Sequence, residues 1–157
     1  MKYLKDISFL IIGVVIIIGS FYLFLQRPAL AKYQGLSLIQ IGDSIVLVEI
    51  ANTPEARTQG LSGREAIRDN TGMFFVFETP AQYGFWMKDM RFAIDIIWID
   101  ETLHVIGIER EVSPETFPQI FKPVRLAKYV LELPAEFSEK HHIDIGHVVL
   151  LDTQSTQ

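Results

Sequence analysis

The chain changes pattern sharply along its length. From Ile7 to Leu25 no position is charged and most are apolar, a run of about 19 residues that reaches across a hydrocarbon core as a helix. Residues 1–26 therefore read as a transmembrane anchor. The alternative is a signal segment cut near Ala31, because Ala29-Leu30-Ala31 has the small-x-small form that signal peptidases accept. Lys2 and Lys5 precede the run and Arg27 and Lys32 follow it, so flanking charge does not choose an orientation, and the usual N-in arrangement is adopted. Either way the rest of the chain is expected outside the cytoplasm, anchored or secreted. Residues 27–35, with Pro28, form a short tether.

Beyond the tether the apolar positions follow a period of two. Leu36 to Ile41 and Ser44 to Ile50 flank Gly42-Asp43, a hairpin signal. Thr53-Pro54-Glu55 supplies a cap, a proline for the first helical turn and an early acid, and Gly60 is placed to end a helix of about two turns. Ser62-Gly63-Arg64-Glu65 fits a capping box and predicts a second helical turn. Short aromatic and β-branched runs then predict strands at Met73 to Glu78, Phe85 to Lys88, Phe92 to Asp100 and Leu103 to Glu109. Glu111 to Pro123 reads as a long loop, Lys128 to Leu133 as a strand, Pro134 to His142 as a helical turn, and His147 to Leu151 as the closing strand. Residues 36–152 thus form one β-rich domain, a sandwich or barrel with one or two short helices, before a polar tail at 153–157.

Composition adds mainly exclusions. The 157 residues carry a formal net charge of −5 and no block of basic residues interleaved with aromatics, so nucleic acid is not an expected partner. The absence of cysteine removes disulfides, thiolate nucleophiles and Cys-based metal sites. Neither a Gly-rich phosphate loop nor a nucleophile elbow is present.

Several segments together resemble the uncharacterised family DUF192: Arg57 to Arg64, Gly72 to Phe77, Phe85 to Met90, Ile94 to Asp100 and Tyr129 to Ala135. The resemblance runs from about Val46 to Leu151 and implies an all-β, jelly-roll-like domain, often exported behind a signal or anchor. It implies no established activity. The chain departs from the family pattern at Glu136, where glycine usually follows Leu-Pro-Ala, and at His147, where an acid usually follows Ile145-Gly146.

Four constellations bear on function. In Phe85-Trp86-Met87-Lys88, alternation sends Trp86 and Lys88 to one face, where Trp86 could stack on a sugar while Lys88 meets an anion; the alternative is a core Trp86 with the lysine stem lying along it. Asp95 and Glu132 each interrupt an apolar run. They are candidates for an acid/base pair in glycoside cleavage, or else Asp95 accepts hydrogen bonds from Arg57, Arg64 or nearby backbone. Arg57 and Arg64 could clamp an anion or stand as solvated charges. His141, His142, Asp144 and His147 have ligand chemistry, but their spacing does not make them converge, so neither a metal nor another cofactor is expected.

The expectation is a membrane-associated, extracytoplasmic binding or accessory domain for an envelope carbohydrate or small anionic ligand, its ligand surface built from Trp86, Lys88, Arg57 and Arg64 with Asp95 near it. The alternatives are a hydrolase of an envelope glycan using Asp95 and Glu132, and a structural module that binds an envelope protein.

Overall fold

The computed structural model describes residues 36–151. The anchor, tether and polar tail expected from the sequence lie outside the described residues. Among the described residues no helix is long and apolar enough to cross a membrane.

Among the described residues the fold is mostly β, with a single seven-stranded sheet and two short helices. In chain order the elements are β1 (Ser37–Ile41), β2 (Ser44–Ala51), α1 (Pro54–Gln59), β3 (Thr71–Ala81), β4 (Ile94–Ile99), β5 (Val105–Val112), β6 (Ala127–Pro134), α2 (Phe137–Lys140) and β7 (Val149–Leu151), with a 3-10 turn at Pro114–Thr116. The strand order is β5-β4-β6-β3-β2-β1-β7.

The predicted hairpin is present: β1 and β2 pair antiparallel with Ile41 opposite Ser44, and Gly42 takes the left-handed conformation that the turn requires. The next step is different. β2 and β3 are parallel neighbours, and a parallel pair needs a long crossover. Residues 52–70, which include α1, make that crossover over one face of the sheet. A jelly roll has two packed sheets built from Greek keys. Here one sheet curls, and the β2–β3 pair is parallel, so the jelly-roll expectation is replaced by a curled sheet.

The sheet turns far enough for its two ends to meet. The Val105 amide donates to the His147 carbonyl (2.9 Å), the Gly146 amide to the Val105 carbonyl (2.8 Å) and the Val149 amide to the Leu103 carbonyl (2.8 Å). His104 and Val148 form an antiparallel bridge at the same place. Curling splits the apolar residues into two cores. The inner face gathers Ile41, Val48, Phe74, Ile97, Leu131 and Leu133, plugged by Phe137 of α2. The other face carries Met73, Phe75, Ile96, Trp98 and Val130, covered by Leu61 and Met87 from the connecting segments. Every residue of β4 is buried, which is why Ile94 to Ile99 reads as a nearly continuous apolar run.

Two local expectations fail for a shared reason. Ser62 to Glu65 forms no helix: Gly63 has φ +79° and its amide donates to the Asp89 carbonyl (2.8 Å). Phe85 to Lys88 is not a strand either; only Phe85 makes a bridge, to Phe121. Both segments spend their backbone groups on tertiary contacts in place of regular structure.

Candidate functional site

The crossover and the irregular segment after β3 enclose a cleft of about 340 Å³ above β3 and β6. α1 forms one wall. Its start is fixed by the Thr53 hydroxyl, which accepts from the Ala56 amide (3.1 Å), and by Pro54 in the first turn; Gly60 ends it at φ +50°. Arg57 projects from this helix into the cleft lining. Its Nη1 donates to the carbonyls of Asn52 (2.9 Å) and Val76 (2.8 Å), and its guanidinium lies 5.3 Å from the centre of the Phe77 ring. The opposite wall holds Tyr83, Phe85 and Trp86. The Ser62 hydroxyl donates to the Lys88 carbonyl (2.9 Å) and thereby joins the two walls. Tyr83 stacks on Phe77 with ring centres 3.5 Å apart, and Phe85 meets Phe75 edge to face at 4.9 Å.

Glu132 lines the same cleft from β6. It stands opposite Met73 on one neighbouring strand and Ile96 on the other, so apolar side chains flank it within the sheet. Only 6% of the residue is exposed, and its Oε2 is buried without a hydrogen-bond partner. Burial pushes the carboxyl up to about 8, against a smaller downward pull from the Arg64 charge. At neutral pH the group is mostly a neutral acid, able to donate one hydrogen bond and accept others.

The remaining candidates divide. Trp86 is half exposed at the rim and touches Phe117, with ring centres 5.7 Å apart. Met87 beside it is buried. The alternation expected of a strand therefore holds without a strand, and the buried tryptophan of the core is Trp98, whose Nε1 donates to the Tyr83 carbonyl (3.0 Å). Lys88 is exposed with its Nζ 5.9 Å from the Trp86 ring centre.

Arg64 does not pair with Arg57 as a clamp. It holds Glu49 through two hydrogen bonds of 2.5 and 2.8 Å, and each partner reinforces the charge of the other: Glu49 is lowered and Arg64 raised, chiefly by that hydrogen bonding.

Asp95 is placed apart from the cleft. It lies opposite Leu133, one register step from Glu132, and a single step reverses the face. Its Oδ1 accepts from the Glu111 amide (2.9 Å), and its Oδ2 accepts from the Ser138 amide (2.8 Å) and hydroxyl (2.7 Å). Backbone of the β5 bulge and of α2 satisfies it, not Arg57 or Arg64. Asp95 and Glu132 cannot act on one bond from opposite faces of a sheet, and the hydrolase reading loses its pair.

Among the four residues with ligand chemistry, the His141 ring stacks on Phe137, Asp144 pairs with Arg110 (3.3 Å), and the Asp144 amide lies 3.4 Å from His147 Nδ1. Among the described residues no three potential metal ligands cluster.

Sequence reasoning missed Tyr83 and Gln59, both of which line the cleft. The available signal for Tyr83 was Phe77, six residues earlier, on the strand whose register shifts between Val76 and Ala81. For Gln59 the signal was its place in the Arg57 to Arg64 segment, since a polar residue at the end of a short helix is otherwise ordinary.

The family model for DUF192, described as Uncharacterized ACR, matches residues 37–151. The chain belongs to the DUF192 family. No curated protein matches it. Among solved structures it is similar to a putative transcription regulator from Sinorhizobium meliloti 1021, at 23% identity and a TM-score of 0.70, over 74% of this chain and 93% of that one. It is also similar to a protein of unknown function from Novosphingobium aromaticivorans DSM 12444, at 22% identity and a TM-score of 0.70, over 73% and 84% of the two chains. These likenesses concern the fold.

Of the five segments that carry the DUF192 resemblance, four surround the cleft: α1 with its following turn, β3, the Phe85 to Met90 wall, and β6 with Glu132. The fifth is β4, which carries Asp95 beside them. The DUF192 departure at Glu136 also acquires a physical meaning, because this residue has φ +67°, where glycine is least strained.

Proposed function

We propose that the domain binds a small molecule of the cell envelope, an envelope sugar in the first instance, in the cleft between α1 and the Tyr83 to Trp86 wall. The observation that carries this reading is Oε2 of Glu132, buried without a hydrogen-bond partner on a residue that lines an aromatic-walled cleft. An unsatisfied buried carboxyl costs on the order of 1–3 kcal/mol, and a ligand that hydrogen-bonds to it offsets that cost. Trp86 at the rim offers a half-exposed ring for a sugar face, with Lys88 above it. The uncharged Ile7 to Leu25 run supports an extracytoplasmic, membrane-associated location.

The test is a thermal-shift screen of the full-length chain against envelope mono- and disaccharides, with Trp86→Ala in parallel. A shift seen in the parent and lost in the variant supports the reading. If no sugar moves the melting temperature, the sugar class falls.

A second reading, an interaction module for an envelope protein, rests on Leu38, Ile45 and Leu150, exposed on the adjacent strands β1, β2 and β7. Association that weakens in Leu150→Glu, with the cleft left intact, would favour it.

A further inference from the structure

We infer that the ligand of this cleft carries a primary ammonium group, seated among the aromatic rings and paired with the carboxylate of Glu132. The inference rests on the cleft being a binding site and names what binds there. Three observations lead to it. Glu132 has no hydrogen-bond partner for its buried Oε2. Its flanking residues in the sheet, Met73 and Ile96, are apolar and cannot supply one. Aromatic side chains make up much of the rest of the lining: Phe75, Phe85 and Trp86, with Phe77 and Tyr83 stacked on each other and Arg57 set over Phe77.

Each class of ligand group meets this arrangement differently. A hydroxyl would satisfy the acid but gain little from the rings beyond apolar contact. A carboxylate or phosphate could meet Arg57, but at Glu132 it would have to sit against π-faces that repel negative charge and beside an acid that must stay protonated. An ammonium gains from both, since the rings attract it and its N–H groups fill the empty acceptor positions of Glu132. A protonated amino sugar combines that ammonium with a ring face for Trp86.

The charged groups around Glu132 allow this. From α1, Arg57 shares the cleft, but its Nη1 is committed to two backbone carbonyls and its plane lies over Phe77. Its remaining N–H groups are suited to ligand hydroxyls. From the turn after α1, Arg64 is neutralised by Glu49 of β2. The Tyr83 hydroxyl donates to the Thr79 carbonyl (2.6 Å) and faces away from the role.

Pairing carries a proton balance. The empty site holds the acid form near neutral pH, so uptake of an ammonium ion expels the carboxyl proton to solvent, and one N–H···O ion pair replaces one O–H bond. Affinity for a permanently protonated amine rises from pH 6 to pH 8 as that proton becomes easier to lose.

The experiment is titration calorimetry of the full-length chain with glucosamine and cyclohexylamine against glucose, N-acetylglucosamine and cyclohexanol, repeated in Glu132→Gln. The amines are expected to bind at least about tenfold more tightly than their neutral counterparts, and Glu132→Gln to weaken them by about 10- to 100-fold. Cyclohexylamine measured in two buffers of different ionisation enthalpy at pH 7 is expected to release close to one proton, a readout that needs no variant. Equal affinity for amines and neutral compounds, or no proton release, overturns the ammonium assignment and leaves the cleft as a sugar site. Binding of cyclohexylamine without any sugar upholds the ammonium and removes the sugar class. If none of the five compounds binds, both fall.

Discussion

Gly72 on β3 packs against the backbone of Glu132 on β6: a Cβ placed on Gly72 would stand 2.3 Å from the Glu132 carbonyl oxygen and 2.8 Å from Leu133 Cδ2. The first obstacle is backbone, so no rotamer change relieves it. Gly72→Ala is expected to destabilise the domain by about 2–3 kcal/mol through forced separation of two paired strands. Urea unfolding reads this directly, and an unchanged midpoint would mean that the strands part at little cost.

Glu132 gives the domain a pH-dependent stability. Its carboxyl lies near the ordinary 4.5 in the unfolded chain and at about 8 in the fold. Between these values the folded state holds more protons, so stability is full below about pH 4.5 and falls as pH rises towards 8, by at most about 1.4 kcal/mol per pH unit. Glu132→Gln is expected to flatten that slope and to be more stable than the parent at pH 8. Melting curves from pH 5 to pH 8.5 check it; parallel profiles for the two proteins would contradict it.

Asp95 is expected to be a structural residue. Asp95→Ala leaves the amides of Glu111 and Ser138 and the Ser138 hydroxyl without their acceptor. At about 1–3 kcal/mol per unmet buried group, a loss of at least about 3 kcal/mol follows. Asp95→Asn keeps the shape and one acceptor, so its loss is smaller, and any ligand bound in the cleft still binds it. Loss of binding in a folded Asp95→Asn would return Asp95 to the site.

Glu136 precedes α2 in a left-handed conformation and makes a single solvent-exposed ion pair, with Lys140. Left-handed backbone costs a residue with a Cβ about 1–2 kcal/mol, whereas glycine occupies it freely. Glu136→Gly is therefore expected to raise stability by up to about 1 kcal/mol after the greater chain entropy of glycine is subtracted. A lowered melting temperature would show that the ion pair outweighs the strain.

Much of the fold could be read from local chemistry. Gly42-Asp43 between two alternating runs specifies its hairpin, and Thr53-Pro54 specifies the start of α1, because turns and caps are decided within a few residues. Phe85 to Lys88 has strand composition yet makes no strand, since what holds it is a bridge to Phe121, 36 positions away in sequence. The site follows the same division. Glu132, Arg57 and Trp86 were visible as a carboxylate in an apolar run, a helix-borne cation and an aromatic beside a lysine. That Asp95 and Glu132 face opposite ways was hidden because β4 is buried on both faces, so its apolar run shows no alternation to tell one face from the other.

The meeting of the two sheet ends has a consequence in time. β7 pairs Ile39 with Leu151 and Ile41 with Val149, and the same strand region bonds to Leu103 and Val105. The first strand of the domain thus waits more than a hundred residues for its second neighbour. Such distant pairing makes folding slow. A chain emerging from the ribosome or a translocation pore cannot close its sheet until residue 151 is free, and until then the edge of β1 stays open to association with other chains.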